Sequence, residues 1–195
     1  GLLGYPSEPV PFRERYSFYQ GRSRLPQDPK GAEAFLRRAL AAFPDDLEAM
    51  AELGFALYLQ GPSRYEEAAS LYEKVLALLP NPDTLARYGR LLYHQGRFSE
   101  AEKAYREALQ GNPRHLDARW GLAEVLLAQG RLAEAEGFVR GVLREAPDYP
   151  LARFTLAKIL LEKGDKGEAV RLLKAELAKN PDPEVKALLD KVLAK

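Results

Sequence analysis

The chain has 195 residues, of which 46% are apolar and 29% are charged, and its formal net charge is +1. This length and apolar content suffice for one domain with a substantial core. The near-zero net charge, without an acidic or basic block, argues against nucleic acid and an anionic membrane surface as partners. No apolar run reaches the roughly 18 residues of a membrane span. The absence of cysteine excludes disulfides and thiolate metal sites.

The sequence leaves the compartment open. The chain does not begin with methionine, and a signal peptide removed before Gly1 would not be visible. Two locations therefore remain: the cytoplasm, or the cell envelope if such a signal peptide preceded Gly1.

Residues 1–28 form an atypical opening segment. Residues 1–11 are rich in proline and predict an extended arm, because proline disfavours regular helix. Residues 12–21 predict a degenerate first helix that ends at Gly21, with Tyr16 and Tyr19 on one face. Alternatively, this segment docks elsewhere on the chain.

Residues 82–115 show most clearly the unit that organises the rest of the chain. Tyr88 and Leu92 share one face of a first helix, and Gly96 is suited to its end because glycine tolerates the left-handed conformation. Ala101 and Tyr105 share one face of a second helix, which Pro113 ends. The unit is therefore a pair of amphipathic helices joined by a tight turn.

The same spacing occurs five times. An alanine is followed after 12 residues by a proline in every copy, which argues against a chance origin. The alanines are Ala32, Ala68, Ala101, Ala135 and Ala169, and the prolines are Pro44, Pro80, Pro113, Pro147 and Pro181. A half-matching repeat ends at residue 46, and four fuller pairs span 47–81, 82–115, 116–149 and 150–183. Residues 184–195 predict an amphipathic capping helix, with an apolar stripe and a charged side.

This pattern resembles the tetratricopeptide repeat family, whose units combine Leu-Gly, aromatic, alanine and proline positions over about 34 residues. The second fuller unit matches at Leu85, Tyr88-Gly89, Leu92, Phe98, Ala101, Tyr105 and Pro113. The resemblance implies an all-α fold, namely a right-handed superhelical α-solenoid of antiparallel helix pairs over residues 29–183. It also implies a concave face lined by the first helix of each pair.

Small residues in the first helices indicate close approach within each pair. They are Gly54, Gly89, Ala123 and Ala157, and their expected partners are the repeated alanines of the second helices. A larger side chain at these positions would overpack, at about 1–3 kcal/mol.

The sequence offers no catalytic residue, no cofactor-binding motif and no metal site. His94 and His115 are 21 residues apart and lack ligand-spaced partners, so we interpret them as surface residues, His115 in a loop. No glycine-rich phosphate-binding loop is present, because the glycines between the helices of each pair are interpreted as helix ends. We therefore predict that the protein is not an enzyme.

Positions on the first helices that do not face the paired helix predict the binding surface. Aromatic and arginine side chains usually dominate such contacts. The candidate partner-binding residues are Phe55, Tyr58, Arg90, Tyr93, His94, Trp120, Glu124, Leu127, Phe154 and Lys158. An alternative for the aromatic members is that they form core between repeats, and for Phe55 and Phe154 the two assignments are equally supported.

The sequence thus favours a non-catalytic interaction scaffold that binds a peptide or helical segment of a partner protein in the concave groove. The alternative is a self-assembling subunit of a larger complex that uses the groove or the N-terminal arm, which would make the protein a homo-oligomer. Neither hypothesis needs a cofactor, nucleic acid or an integral membrane span.

Overall fold

The computed structural model describes residues 12–194, with side chains from residue 15 onward. The proline-rich arm expected at residues 1–11 lies outside the described residues. Between residues 12 and 194 the chain forms eleven α-helices and no strand. The predicted all-α class of paired helices is confirmed.

The chain divides between Arg97 and Phe98 into two compact units, which we call the N-terminal unit and the C-terminal unit. Such a division suits a repeat array, in which each helix contacts mainly its neighbours in sequence. The N-terminal unit contains α1 Phe12–Arg24, α2 Pro29–Ala42, α3 Leu47–Leu59, α4 Tyr65–Leu78 and α5 Pro82–His94. The C-terminal unit contains α6 Phe98–Gly111, α7 Leu116–Ala128, α8 Leu132–Glu145, α9 Ala152–Glu162, α10 Lys166–Lys179 and α11 Pro183–Leu193.

The repeated alanines form the core of the second helices. Ala32, Ala68, Ala101, Ala135 and Ala169 are each 0% exposed, as the spacing predicts. The first helix of one pair also contacts the first helix of the next pair: α3 contacts α5, and α7 contacts α9. Because a single pair cannot bury its apolar face alone, this stacking supplies the core.

Local signals place the helix ends. Asp46 accepts a hydrogen bond from the backbone N–H of Ala49, and Asn81 accepts one from Thr84, so both cap helix starts. At the ends of α5 and α7, Gly96 and Gly130 adopt φ of 75° and 76°, which glycine takes without steric cost.

The prediction that α1 ends at Gly21 is wrong. The helix continues to Arg24, and Gly21 lies buried within it. A Cβ at Gly21 would stand 2.6 Å from Cγ of Leu36 in α2. Gly21 therefore permits close helix contact rather than ending the helix.

Two tyrosines occupy close helix contacts. A Cβ on Gly54 of α3 would lie 2.9 Å from the ring of Tyr72 in α4, so the nearest neighbour of Gly54 is this tyrosine rather than the expected Ala68. In α7, a Cβ on Gly121 would lie 2.2 Å from the ring of Tyr105 in α6. The Gly121 contact was not predicted, because Tyr105 reaches into the following pair.

A cluster of charged and polar side chains links α2 to the segment around the start of α4. Glu33 accepts hydrogen bonds from Arg37 at 2.9 Å, from Gln60 at 2.7 Å and from Arg64 at 2.8 Å. Burial alone would raise the pKa of Glu33, but the hydrogen bonds from Arg64, Gln60 and Arg37 outweigh it and lower the pKa to about 2.

The C-terminal unit contains two similar clusters around Glu102 and Glu136. Their cations are Arg106, Arg131, Arg140 and Lys163. Burial alone would raise the pKa of Glu102, but hydrogen bonds from Arg106 and Arg131 outweigh this effect and lower the pKa. The Lys163 hydrogen bond is the main cause of the lowered pKa of Glu136. In each unit, therefore, carboxylates and cations join successive pairs.

The turn before α9 depends on a buried carboxylate. Leu151 has φ of 61°, an uncommon conformation for a side chain branched beyond Cβ. Its backbone N–H donates to Oε1 of Glu176, which is 0% exposed in α10. Glu176 also accepts a hydrogen bond from Asn180 and lies 3.6 Å from Arg153. This carboxylate serves as the helix cap, since Leu151 has no capping side chain.

Candidate functional site

The predicted partner-binding residues fall on four first helices, two in each unit. The set in α3 and α5, called the N-terminal strip, contains Phe55, Tyr58, Arg90, Tyr93 and His94. The set in α7 and α9, called the C-terminal strip, contains Trp120, Glu124, Leu127, Phe154 and Lys158. His94 is exposed and the other nine are half-buried, so each side chain retains surface for a partner.

The N-terminal strip is a contiguous group of aromatic rings. The rings of Phe55 and Tyr58 are stacked with centroids 6.2 Å apart. Tyr58 also stacks on Tyr65 at 5.7 Å and lies 5.7 Å from His94, which contacts Tyr93 at 5.4 Å. Tyr65, at the start of α4, was not predicted as a site residue. Its position in a family motif was the only signal available in the sequence.

Arginines border these rings. The guanidinium carbon of Arg87 lies 4.7 Å from the Phe55 ring centroid, and Arg87 pairs with the buried Glu52 at 3.1 Å. Burial raises the pKa of Tyr58, and the positive charge of Arg90 partly opposes this rise. The N-terminal strip thus combines apolar ring surface with cationic edges, a composition common in protein-binding surfaces.

The C-terminal strip is joined by a chain of hydrogen bonds across α7 and α9. The indole N–H of Trp120 donates to Oγ1 of Thr155 at 2.9 Å, and that hydroxyl donates to Glu124 at 2.5 Å. The other carboxylate oxygen of Glu124 accepts from Lys158 at 3.1 Å. Lys158 also lies 4.9 Å from the centroid of the Phe154 ring. Four of the five predicted residues of the C-terminal strip are therefore linked by contacts, and the charges of Glu124 and Lys158 neutralise each other.

Thr155 and Tyr149 belong to this strip but were not predicted. Thr155 is 0% exposed and connects Trp120 to Glu124. The Tyr149 ring lies 6.0 Å from Trp120, and its hydroxyl donates to Asp117. Leu127 is half-buried on α7. Since each missed partner lies about 30 residues from its contact, helical periodicity alone could not find it.

His115 lies at the start of α7 and has a specific role there. Its Nδ1 accepts a hydrogen bond from the backbone N–H of Ala118 at 3.2 Å, so it caps the helix rather than serving as a plain loop residue. Over residues 15–194, no three His, Asp or Glu side chains are grouped so as to hold a metal ion. No helix among the described residues is both long and apolar enough to span a bilayer.

Paired helices and buried alanines at a regular interval define a helical-repeat protein. A family profile described as Tetratricopeptide repeat matches residues 27–83 and 87–150, and a second profile with the same description matches 62–107 and 138–192. The chain belongs to the tetratricopeptide repeat family. In the general sense that this family defines, it is a protein-interaction scaffold.

A curated relative is the TPR repeat-containing protein PA4667 of Pseudomonas aeruginosa, 34% identical over 116 residues. The match covers 59% of this chain but 19% of that protein, so the chain spans about a fifth of its relative.

Solved structures agree in fold. TTC0263, a TPR protein of Thermus thermophilus, gives a TM-score of 0.78 at 19% identity, covering 93% of this chain and 100% of that chain. Pseudomonas aeruginosa pilF gives 0.76 at 23% identity, covering 93% and 84% of the respective chains. YrrB, described as a TPR protein with an unusual peptide-binding site, gives 0.67 at 20% identity, covering 91% and 89%.

Proposed function

We propose that the protein is a non-catalytic scaffold that binds a peptide or helical segment of a partner protein on the N-terminal and C-terminal strips. The observation that carries this proposal is the chain of hydrogen bonds that runs from Trp120 through Thr155 and Glu124 to Lys158. Ordered aromatic side chains lose little conformational entropy on binding, which favours affinity. YrrB, whose fold is similar, has a peptide-binding site according to its description, and this lends support by analogy.

The chemistry of the strips indicates the kind of segment they take. In the C-terminal strip, both oxygens of Glu124 already accept hydrogen bonds, and Lys158 is paired. That strip offers ring surface and a neutral ion pair, so it suits an uncharged apolar side chain. The N-terminal strip adds the stacked rings of Phe55 and Tyr58, which suit an aromatic residue.

A peptide selected from a displayed random library against the whole chain provides the probe for a direct test. We expect Trp120→Ala and Tyr93→Ala each to weaken binding of that peptide by about tenfold or more, because aromatic anchors dominate such interfaces. Leu78→Ala is the matched control, since Leu78 is 73% exposed on a second helix. Unchanged affinity in both aromatic variants would contradict peptide binding on the strips.

Self-assembly remains a second candidate function because α1 exposes two large aromatic side chains. Tyr16 is 50% exposed and Tyr19 is 45% exposed, whereas Phe18, between them, is 3% exposed. In a self-assembling protein, these tyrosines would contact another copy of the chain.

Light scattering across a range of protein concentrations tests this second function. Self-assembly predicts a mass that increases with concentration and a return to monomer in the Tyr16→Ser/Tyr19→Ser variant. A constant monomer mass in the unmodified protein would contradict it.

A further inference from the structure

A second surface feature lies in the C-terminal unit and shares no lining residue with the C-terminal strip. It is a cleft of about 440 Å³ lined by one residue of α7 and five of α8. The lining residues are Arg119, Gly137, Phe138, Gly141, Arg144 and Glu145. Small-ligand sites commonly measure about 300–1,000 Å³, so this cleft has room for one or two peptide side chains.

The cleft exists because α8 lacks side chains at two positions. A Cβ at Gly137 or at Gly141 would meet no atom within 4 Å. At the same repeat positions in α6, Lys103 and Glu107 form an ion pair at 3.9 Å. On α6 these two side chains cover the helix surface, whereas on α8 the two glycines leave the corresponding surface open.

The fold itself gives no reason for these two glycines. Glycine is required at position 121 because a Cβ there would meet the Tyr105 ring, and at position 130 because φ is positive. Neither constraint applies to Gly137 or Gly141. Each glycine destabilises the helix interior relative to alanine. Close approach by another molecule would offset this cost.

The charges of the cleft favour a negative ligand. Arg119 pairs with Glu145 at 2.8 Å and also donates to the backbone oxygen of Pro113. Arg144 is exposed and has no hydrogen bond or ion pair within the described part of the chain. The lining thus has one uncompensated positive charge beside the half-buried ring of Phe138.

We propose that this cleft is a docking site for an acidic, leucine-containing peptide segment of a partner protein. A carboxylate of the segment pairs with Arg144, since a guanidinium binds a carboxylate through two parallel hydrogen bonds. A leucine-sized side chain lies over Gly137 and Gly141 and packs against Phe138. This partner is additional to the one bound on the strips.

Two tetrapeptides of equal length test the site on the whole chain: acetyl-Glu-Leu-Leu-Glu-amide and acetyl-Lys-Leu-Leu-Lys-amide. The readout is the backbone amide signals of Gly137 and Gly141, since glycine signals lie in a resolved region of the nitrogen–proton spectrum. We expect the acidic peptide to shift both signals saturably, and the basic peptide to bind at least tenfold more weakly.

Three variants test whether the peptides bind specifically in the cleft. Arg144→Glu should reverse the preference between the peptides, whereas Arg171→Glu, an exposed arginine on α10, should leave it unchanged. Gly137→Lys/Gly141→Glu copies the α6 pair into α8 and should fill the cleft while the fold is kept. Because this variant lacks both reporter glycines, the readout is the backbone amide signal of Phe138, which the acidic peptide should shift in the unmodified protein but not in the variant. Equal shifts with both peptides, no shifts at all, or equal effects of Arg144→Glu and Arg171→Glu would each overturn the proposal.

Discussion

The indole nitrogen of Trp120 lies 2.9 Å from Oγ1 of Thr155, 35 positions later in the chain. Thr155 is fully buried and donates its own proton toward Glu124, so one hydroxyl fixes both an aromatic and an acidic member of the C-terminal strip. The shape of the strip therefore depends on a residue that no partner would touch.

Replacing this hydroxyl should loosen the strip. We expect Thr155→Val to remove the hydrogen bond of the indole and to cost about 1–2 kcal/mol of stability, because the indole N–H and the carboxylate lose a buried partner. Trp120 is the only tryptophan, so its fluorescence emission and its single indole N–H signal report the change without interference. If the indole signal does not move, the hydrogen bond is absent in solution.

The buried carboxylate of Glu176 should be essential for the start of α9. Glu176→Ala leaves the N–H of Leu151 without its acceptor, whereas Arg153 keeps its ion pair with Asp148. We expect a loss of about 1–3 kcal/mol in the free energy of unfolding, because a buried donor is left without a hydrogen bond. Glu176→Gln keeps an acceptor for Leu151 and should cost less. Urea unfolding of the two variants checks the order, and equal losses would contradict the capping role.

Acid should weaken the links between helix pairs. The folded-state pKa of Glu33 is about 2, below the ordinary value of 4.5, so its stabilisation is fully present above pH 4.5. It is lost as the pH falls from about 4.5 toward 2. Glu102 and Glu136 have pKa values shifted in the same direction and add to this loss.

Glu33→Gln isolates one cluster in this acid response. We expect the variant to be about 1–3 kcal/mol less stable at pH 7 and to lose less stability on acidification, because it has no carboxylate to protonate. Thermal unfolding at pH 7 and pH 3 measures both quantities. Glu162→Gln is the control, an exposed carboxylate without an ion pair in the described part of the chain. If Glu33→Gln loses as much stability between pH 7 and pH 3 as the unmodified protein does, protonation of Glu33 does not contribute to the acid sensitivity.

Two glycines on neighbouring helices should respond to alanine in opposite directions. Gly141→Ala should stabilise by about 0.5–1 kcal/mol, because the added Cβ meets no atom and alanine favours helix. Gly121→Ala should destabilise by about 1–3 kcal/mol, since its Cβ would enter the Tyr105 ring. The denaturant midpoints of the two variants measure these changes in stability. A midpoint shift of the same sign in both variants would contradict the difference in packing around Gly121 and Gly141.

The sequence predicted the helix pairs because their determinants are local. The 12-residue interval between Ala101 and Pro113, for example, marks a helix face and a helix stop within one element. The prediction was wrong at Gly21, because the longer α1 moves that glycine from a helix end to a helix contact.

Contacts between distant residues of the candidate site could not be predicted. Helical periodicity placed Trp120 and Lys158 on exposed faces of their helices. It could not identify Thr155 as the link between Trp120 and Glu124, since nothing in the sequence shows which residue a buried threonine contacts. The same reason hid the contact between Gly121 and Tyr105, which joins two different pairs.

The most direct measurement is the contact map of a bound peptide, obtained from intermolecular proton–proton contacts of a library-selected peptide in complex with the whole chain. We expect contacts from peptide side chains to the ring protons of Trp120 and Tyr93. Contacts found only on the second helices, with the signals of these two rings unchanged, would contradict it.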